Sequence, residues 1–542
     1  MDQNDEIVPQ VAASVAKINE LVWDVALKPG YKFSDGTAVD AQRVAACLSE
    51  LNEKNSNAQS SLGKMTVTAA DDLTVRITSE RPTHVMDAVL AEWVFVVFLK
   101  TTVGDVTDFA YTGPYKIDEF KAGEKIELVP NQYYYDGRAL ERPQITVKSA
   151  ADGHELAEGL KSGEVDIGFR ECVAPSSSLS LPRPIAHLGH SPSLVADLPV
   201  DTLSELEELE DILVKSFEVG YHYMAFHNIA TLPDVRVRKA IDLAIDRAAL
   251  SEALEGGKGT RSLFPDYSPY FADDTEGKAD PTAAATLLDE AGWTLDADGA
   301  RAKDGTPLTV HIVAYPHRPG LAIMQPVIAK ALEDLGISTT TTLTGDDWSE
   351  TQAHIDDGSF DLLLWAQHTL PAGDPLWFLS AFFRSDGGNN HAGFESNDVD
   401  RLLDELSVAE DHATRVKATE TVHKAILDEA PVSNLVTPYW HVGLSQRMAN
   451  YSPWGSDYYV IRPDLFISEV TTASDTQETG TAGGGAQGGE AGASASSGAS
   501  SSSGTADKED PSNGDGSGGF RGCVTGGTRA TLLVAFWAVL AF

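Results

Sequence analysis

The hydrophobic positions of the chain repeat with two periods, one near two residues and one near 3.6, which separate strands from helices. The aromatic-rich run 221–228, bounded by Gly220, predicts a strand. Asp234 follows in a position to cap a helix. In residues 235–254 apolar side chains then recur four residues apart, at Val237, Ile241, Ile245 and Ala249. This spacing predicts one continuous apolar helix face, with charged residues such as Arg238 and Arg247 largely on the opposite side.

Both periods continue through the rest of the chain. The predicted strands cover residues 22–28, 65–69, 73–77, 126–128, 145–147, 165–169, 308–312, 360–365, 434–444 and 458–466. The predicted helices cover residues 40–51, 157–160, 281–292, 323–335, 399–406 and 415–426. The apolar run 93–99 fits a buried strand or a short helix. Strands and helices that alternate in two blocks predict an α/β fold with two lobes.

The last part of the chain has a different composition. From residue 471 to about 519 it consists of Gly, Ser, Ala, Thr and acidic residues, which predicts a flexible, disordered linker. The almost wholly apolar segment 531–542 follows; as a helix it would be about 18 Å long, shorter than the ~30 Å hydrocarbon core of a bilayer. A clipped membrane anchor is our favoured interpretation of this segment, and a shallow interfacial segment or an inconsequential tail are the alternatives.

Charge restricts the partners of the protein. Acidic residues number 81 against 40 Lys plus Arg, which gives a formal net charge of −41. Nucleic acid and anionic membrane surfaces would be repelled, so neither is an expected partner. Such a charge suits a salty or extracellular setting. Residues 1–19 contain no apolar signal segment, so either the protein stays inside the cell or its true start lies upstream.

Signatures of catalysis and of metal binding are mostly absent from the sequence. It has no nucleophile elbow, no HExxH and no phosphate-cradling GxxxxGK[ST], and no GxGxxG precedes the Gly-rich segment that begins at residue 471. Cys47, Cys172 and Cys523 form no CxxC pair, so structural zinc is not expected. We therefore predict a protein that is not an enzyme and needs no cofactor, although a secreted hydrolase with a triad assembled from distant residues stays open as an alternative.

Aromatic residues interleaved with His, Asn and Asp form the candidate ligand-binding set. Rings combined with a few orienting polar groups are typical of a cleft for a small molecule, and open α/β sheets bind ligands at strand ends. The candidates are Trp93, Tyr223, Asn228, Trp365, His368, Asp374, Asn390, His391, Tyr439, Trp440, Trp454 and Tyr458.

Six short segments, in order along the chain, carry a resemblance to a known family. They are residues 27–37 (LKPGYKFSDGT), 112–115 (TGPY), 131–137 (NQYYYDG), 162–166 (SGEVD), 234–247 (DVRVRKAIDLAIDR) and 373–375 (GDP). The chain resembles the bacterial extracellular solute-binding proteins of family 5, the receptors of oligopeptide, dipeptide and nickel importers. The resemblance implies a type II periplasmic-binding-protein fold, in which two α/β lobes joined by a hinge close on the ligand.

The resemblance also implies a domain organisation. Residues 1–220 would form lobe I, 221–435 lobe II and 436–470 the return to lobe I, followed by the linker 471–530 and the apolar segment 531–542. Members of the family usually carry an export signal, a lipid-anchored cysteine and roughly one strand layer before the motif at residues 33–36. This chain begins almost at that motif, so we expect lobe I to be truncated at its amino terminus.

The implied function is that of an extracytoplasmic receptor that delivers a solute to the permease and ATPase subunits of an ATP-driven (ABC) importer, with a C-terminal membrane tether. A short peptide is the expected solute. A nickel or metallophore complex is the alternative, supported by His368 and His391. Nickel-complex receptors resembling this family hold an anionic chelate with arginine, and residues 93–99 offer none. A bare divalent ion is not expected, because no compact set of ligands is visible.

Overall fold

A computed structural model describes residues 7–103, 106–121, 125–148, 153–171, 200–272, 278–345, 347–454 and 460–468. These residues belong to one compact unit. Within these ranges every helix is too short or too polar to cross a bilayer. The predicted linker and the apolar segment 531–542 lie outside the described residues.

The elements of the amino-terminal part are, in chain order, β1 (Ala12–Lys17), β2 (Val22–Leu27), α1 (Ala41–Lys54), β3 (Met65–Ala69), β4 (Thr74–Ser79), α2 (Met86–Ala91), β5 (Phe98–Val103), β6 (Val106–Tyr111), β7 (Tyr115–Lys121), β8 (Lys125–Pro130), β9 (Ile145–Lys148), α3 (Gly153–Ser162), β10 (Ile167–Glu171), α4 (Val200–Glu207) and β11 (Ile212–Glu218). Those of the carboxy-terminal part are β12 (Tyr221–His227), α5 (Val235–Ala244), α6 (Arg247–Ala253), β13 (Lys258–Gly259), α7 (Pro281–Glu290), β14 (Thr294–Leu295), β15 (Arg301–Lys303), β16 (Thr306–Pro307), β17 (Thr309–Ala314), α8 (Pro319–Glu333), β18 (Ser338–Leu343), α9 (Trp348–Asp357), β19 (Leu362–His368), α10 (Leu376–Phe383), α11 (Asn397–Ser407), α12 (His412–Glu429), β20 (Val432–Thr437) and β21 (Tyr439–Ser445).

The amino-terminal part is built on an antiparallel sheet with the strand order β1-β2-β4-β3. Alternate residues of β2, namely Trp23, Val25 and Leu27, are buried, as the two-residue period requires. Helix α1 packs its apolar side on this core through Val44 and Leu48. The prediction of a buried strand or short helix at residues 93–99 was largely wrong. Helix α2 ends at Ala91 and β5 begins only at Phe98, so an irregular segment lies between them.

The carboxy-terminal part is organised around a mixed sheet with the order β13-β20-β12-β19-β17-β18. Strand β12 is buried at every position, because one hydrophobic core packs on each face of the sheet. Strands β17, β18 and β19 run parallel to one another. Their carboxyl ends therefore meet at one edge, where an α/β sheet places its ligands.

The helix predicted after Asp234 is in fact two helices. Helix α5 ends where Ile245 becomes extended, and Asp246 caps α6 by accepting from the backbone N–H groups of Ala248 and Ala249, at 3.0 and 3.2 Å. A cap inside a run of helix-forming residues interrupts the helix, because the side chain replaces the backbone as the hydrogen-bond acceptor.

Two arginines that were predicted on the polar face are buried. The Arg238 guanidinium donates to the carbonyl oxygens of Glu429 and Leu232, at 2.7 and 2.8 Å. The Arg247 guanidinium donates to the carbonyl of Asn434 at 2.7 Å and pairs with Asp242. Both positions were misassigned because periodicity records the polarity of a residue and not the hydrogen-bond acceptors around it.

Two further predictions differ from the structure. The segment predicted as one closing strand, residues 434–444, divides at Pro438 into β20 and β21, which join different sheets. In the predicted strand 458–466, the described part, from residue 460 on, contains turns and no strand.

Candidate ligand-binding site

An aromatic cluster lies at the carboxyl edge of the parallel strands. Tyr315 directly follows β17, and Trp348 opens α9 after β18. Trp365 lies in the middle of β19, but because Val313 is paired with Leu363, it is one residue past the level at which β17 ends. The Tyr315 ring centroid is 5.4 Å from each of the two indoles, which are 5.8 Å apart. The Tyr315 hydroxyl accepts the backbone N–H of Ala366 at 3.1 Å, which fixes the ring in place. Edge-to-face rings of this kind form a rigid apolar wall.

His391 extends the aromatic cluster. Its ring lies 4.6 Å from that of Trp365, and its Nε2 atom has no hydrogen-bond partner among the described residues. Burial lowers the pKa of His391 to about 4, so the imidazole is neutral at pH 7. A neutral imidazole with an unpaired nitrogen can donate to, accept from or coordinate a ligand.

A second group of rings lies between β12 and β21, beside the positively charged side chain of Arg318. Tyr221 stacks on Trp440 at 5.9 Å and contacts His368 edge-on at 5.4 Å. Arg318, which precedes α8, donates to the Tyr221 hydroxyl at 3.1 Å and lies 4.8 Å from the ring centroid. A Cβ atom on Gly220 would lie 2.5 Å from Cε1 of His368, so this close approach requires glycine. A half-buried guanidinium beside rings suits a ligand carboxylate.

Trp93 and Trp454 line a cavity in the amino-terminal part. The cavity has a volume of about 790 Å³ and is bounded mainly by residues 7–11, β1, β2, α2 and the segment that follows α2. Trp93 contacts Trp377 of α10 edge-on at 6.3 Å, and the Arg462 guanidinium lies 4.4 Å from the Trp454 ring. The structure thus brings these two candidates together at one cavity.

Four of the predicted candidates use their side chains for core packing, hydrogen bonds or an ion pair within the protein. Tyr223 is fully buried in the core. The Asn228 amide donates to the carbonyls of Gly358 and Phe360, and the Asn390 amide donates to those of Arg384 and Phe394. Asp374 forms an ion pair with Arg415. We therefore leave these four outside the site that we propose.

The two remaining candidates are tyrosines. Tyr439 is half-buried, with the Lys258 ammonium 5.8 Å from its ring. Tyr458 lies outside the described residues.

Sequence reasoning missed Tyr221, Tyr315, Arg318 and Trp348. Tyr315, Arg318 and Trp348 each follow a parallel strand. Ligands bind at the carboxyl ends of such strands, so this position could have identified the three residues as candidates.

A metal site does not form among the described residues. No group of three or more His, Cys, Asp and Glu side chains there has the geometry to hold a metal ion. Cys47 is buried, and burial raises the pKa of its thiol to about 12, which makes it an inert core residue.

A family model describes the greater part of this architecture. The model of the bacterial extracellular solute-binding proteins, family 5 (middle region), matches residues 6–179 and 188–390. The chain belongs to this family. Its members are transport receptors that work outside the cytoplasm, and this solute-binding protein shares that general role.

Several relatives of the solute-binding protein are characterised. It is 24% identical over 454 residues to the nickel-binding protein NikA of Staphylococcus aureus, covering 82% of this chain and 83% of NikA. It is 22% identical over 352 residues to the oligopeptide-binding protein AppA of Bacillus subtilis, covering 63% of this chain and 59% of AppA.

Solved structures show the same fold. The crystal structure of S. aureus NikA in complex with Ni(L-His)2 matches with a TM-score of 0.70 at 21% identity, covering 86% of this chain and 92% of that one. The structure of B. subtilis AppA in complex with a nonapeptide matches with a TM-score of 0.67 at 19% identity, covering 84% and 89%. These likenesses confirm the predicted periplasmic-binding-protein fold.

Proposed function

We propose that this solute-binding protein is the receptor of an ABC importer for a short peptide or similar small solute, and that it has no catalytic activity of its own. The observation that carries the proposal is the aromatic cluster at the carboxyl edge of β17, β18 and β19, together with Arg318, which precedes α8. Rings supply apolar contact to solute side chains without selecting one sequence, and a guanidinium orients a carboxylate.

The mechanism that suits the proposal is a population shift. A solute that touches both lobes only when they are closed binds that state better, and the binding free energy moves the equilibrium toward it. Contacts that such closure would use are already present between the two parts of the chain. The Trp377 indole donates to the Asn57 carbonyl at 3.1 Å, and Arg81 pairs with Asp386.

Mass spectrometry of the intact protein under non-denaturing conditions tests the proposal, since a receptor purified from its source retains a bound solute. Titration calorimetry with the identified molecule should then give a dissociation constant that rises at least tenfold in Trp365→Ala. The matched control is Trp293→Ala, a half-buried indole that packs outside the cluster. Equal affinities for the two variants would contradict the site, and turnover of a peptide library would contradict the receptor role in favour of a hydrolase.

A nickel complex is the second candidate solute, and the unpaired Nε2 of His391 is the observation that favours it. Imidazole nitrogen is a preferred ligand of nickel. Calorimetry with Ni²⁺ and histidine together should show tight binding that His391→Asn weakens. Tight binding of Ni²⁺ without any chelator would instead require a complete set of protein ligands and would contradict both candidates.

The proposal also includes attachment to the membrane through residues 531–542, which lie outside the described residues. Its support is the apolar character of that segment. Recovery of the intact protein wholly in the soluble cytosolic fraction would contradict both the attachment and the extracytoplasmic role.

A further inference from the structure

Asn57, in the amino-terminal part, makes two hydrogen bonds to the carboxy-terminal part. Its side-chain Oδ1 atom accepts from the Asn389 amide at 2.8 Å. Its backbone carbonyl accepts from the Trp377 indole at 3.1 Å. The residue is half-buried, so both bonds are partly shielded from water. One residue thus fixes two side chains of the other part of the chain.

The segment that carries Asn57 is held firmly on α1. It is a short 3₁₀ turn, Ser56–Gln59, and Asn55 caps it by accepting the backbone N–H of Asn57 at 3.0 Å. The buried side chain of Asn52, in α1, donates to the carbonyl of Ala58 at 3.0 Å. Because the turn is anchored at both levels, Asn57 moves with the amino-terminal part as a whole.

The hydrogen bond to Asn389 leads directly to His391. The backbone N–H of His391 donates to the Asn389 carbonyl at 2.7 Å, and the backbone N–H of Asn389 donates to the Ala381 carbonyl of α10 at 2.9 Å. The position of Asn389 therefore sets the position of His391, two residues further on. The ring of His391 lies 4.6 Å from that of Trp365 in the aromatic cluster.

Two glycines pack the chain before Asn389 closely against both sides. A Cβ atom on Gly387 would lie 2.6 Å from the Ala381 carbonyl oxygen, and one on Gly388 would lie 3.2 Å from the Cβ atom of Ser56. Only glycine allows such an approach. A closely packed segment has little free volume, so a displacement of the Ser56–Gln59 turn is passed on to Asn389 and His391.

The hydrogen bond to Trp377 reaches the same cluster through aromatic rings. The Trp377 indole contacts Phe382 edge-on at 6.2 Å. Phe382 in turn lies 5.8 Å from His391 and 6.5 Å from Trp365. Both hydrogen bonds of Asn57 therefore end at the pair formed by His391 and Trp365.

We propose that Asn57 is a positioning residue, which holds His391 against Trp365 through its contacts with the carboxy-terminal part. The position of the amino-terminal part is thereby coupled to the geometry of the aromatic cluster. The inference rests on the proposed function, because that cluster is the ligand-binding site it assigns. Asn57 itself needs no contact with the solute. When the two parts move away from each other, His391 loses its support, so the site is complete only in the closed arrangement.

The test is nuclear magnetic resonance on the full chain with ¹³C-labelled histidine rings and no added solute. The spectrum of His391→Asn lacks one signal and so assigns it. Trp365→Ala then gives the direction in which this signal moves when the neighbouring indole is lost. Asn57→Ala removes the bond to Asn389 and keeps the backbone carbonyl, and it should move the His391 signal in the same direction.

Further variants separate positioning from a general loosening of the protein. Asn57→Asp keeps an acceptor oxygen and should restore the native signal. Asn389→Ala removes the same hydrogen bond from the other side, and the double variant should shift the signal no further than Asn389→Ala alone. Ser407→Ala is the matched control. The Ser407 hydroxyl donates to the Pro82 carbonyl at 2.7 Å and also joins the two parts, but it lies at the end of α11 and should leave the signal in place.

Three results would overturn the proposal: a His391 signal that stays unchanged in Asn57→Ala, shifts that simply add in the double variant, or an equal shift in Ser407→Ala. If Asn57→Ala does not fold, Asn57→Asp and Asn389→Ala carry the test, and a native signal in Asn389→Ala overturns it. No solute enters these measurements. A shifted signal in Asn57→Ala, combined with an unchanged solute affinity in Trp365→Ala, would therefore contradict the proposed function and leave the positioning role intact.

Discussion

Arg415 of α12 holds the Asp374 carboxylate with two hydrogen bonds, from Nε at 2.9 Å and from Nη2 at 2.7 Å. The side chains are 6% and 12% exposed, so the pair is buried. The same carboxylate accepts the backbone N–H of Leu376 at 2.9 Å and thereby fixes the start of α10. Asp374 thus links α10 to α12, so the role of residues 373–375 (GDP) is to stabilise the packing of these two helices.

Breaking this pair should destabilise the protein without acting on the ligand. Arg415→Met leaves a buried carboxylate unpaired, which costs about 3–5 kcal/mol in the free energy of unfolding. Urea denaturation followed by tryptophan fluorescence measures the loss. The control Arg401→Met removes an exposed pair with Glu405 and should cost less than about 1 kcal/mol. Losses of similar size in the two variants would contradict the structural role of the buried pair.

Acid should destabilise the protein through its buried histidines. Burial lowers the pKa of His222 to about 3 and that of His227 to about 4, whereas an unfolded histidine has a pKa near 6.5. Between those values the unfolded state binds more protons than the folded state, so stability is lost as the pH falls from about 6.5 toward 4. Each histidine contributes a slope of roughly 1.4 kcal/mol per pH unit in that window.

His222→Gln tests this linkage. The glutamine does not titrate, so the variant should show a shallower fall in stability between pH 6.5 and 4 when urea midpoints are compared. His317→Gln is the control, because it replaces an exposed histidine in place of a buried one. An unaltered slope in His222→Gln would show that His222 is protonated in the folded state.

Glu92, which is buried at the carboxyl end of α2, should act on stability with the opposite sign. Because its pKa is raised in the folded state, the folded protein binds more protons than the unfolded protein above pH 4.5, and stability is lost as the pH rises through the folded-state pKa. Glu92→Gln removes the charge and nearly keeps the shape, so it should raise the urea midpoint at pH 8 more than at pH 5. An equal effect at the two pH values would mean that the carboxyl is already ionised at pH 5.

Gly320 should tolerate no side chain. A Cβ atom there would lie 2.6 Å from the hydroxyl oxygen of Tyr223, which is fully buried and has no space to move. Gly320→Ala should therefore lower stability by about 1–3 kcal/mol, although alanine otherwise favours a helix. The control is Gly345→Ala, whose Cβ atom would lie 3.2 Å from the exposed and movable carboxylate of Glu350. Thermal melting of both variants measures the difference.

Much of the fold could be predicted from the sequence, because most elements carry their own hydrophobic period. Strand β2 alternates and was predicted to within one residue of its observed bounds. Strand β19 is buried on both faces and was predicted in the right place, although it begins two residues and ends three residues later than the predicted strand 360–365. The predicted helices around α11 and α12 also formed, with Ser396 and Asp411 as caps. The prediction failed where a side chain competes with the backbone for a hydrogen bond. The pattern treated Asp246 as a polar residue within one helix, whereas in the structure its side chain caps a second helix.

The site was less predictable, because it depends on which strand ends are neighbours. Trp365 and His391 were both candidates, but nothing in the sequence showed that their rings are 4.6 Å apart. Asp374 and Asn390 have the same residue types as ligand-binding groups, and the hydrogen bonds that occupy them come from segments remote in sequence or from backbone turns. The residue type shows that a side chain could bind a ligand, but its hydrogen-bond partners in the folded protein determine whether it is available to do so.

The position of β21 has a consequence for how the protein is made. This strand lies between β10 and β11, and β20, just before it, lies between β13 and β12. Both sheets therefore receive an inner strand from the end of the folded body. A growing polypeptide on the ribosome cannot complete the first of these sheets until β21 has emerged, or the second until β20 has emerged, and non-local pairings of this kind form slowly. For most of its synthesis the chain consequently remains incompletely folded. In that state it can pass through a translocation channel, and it can also be cut by a protease.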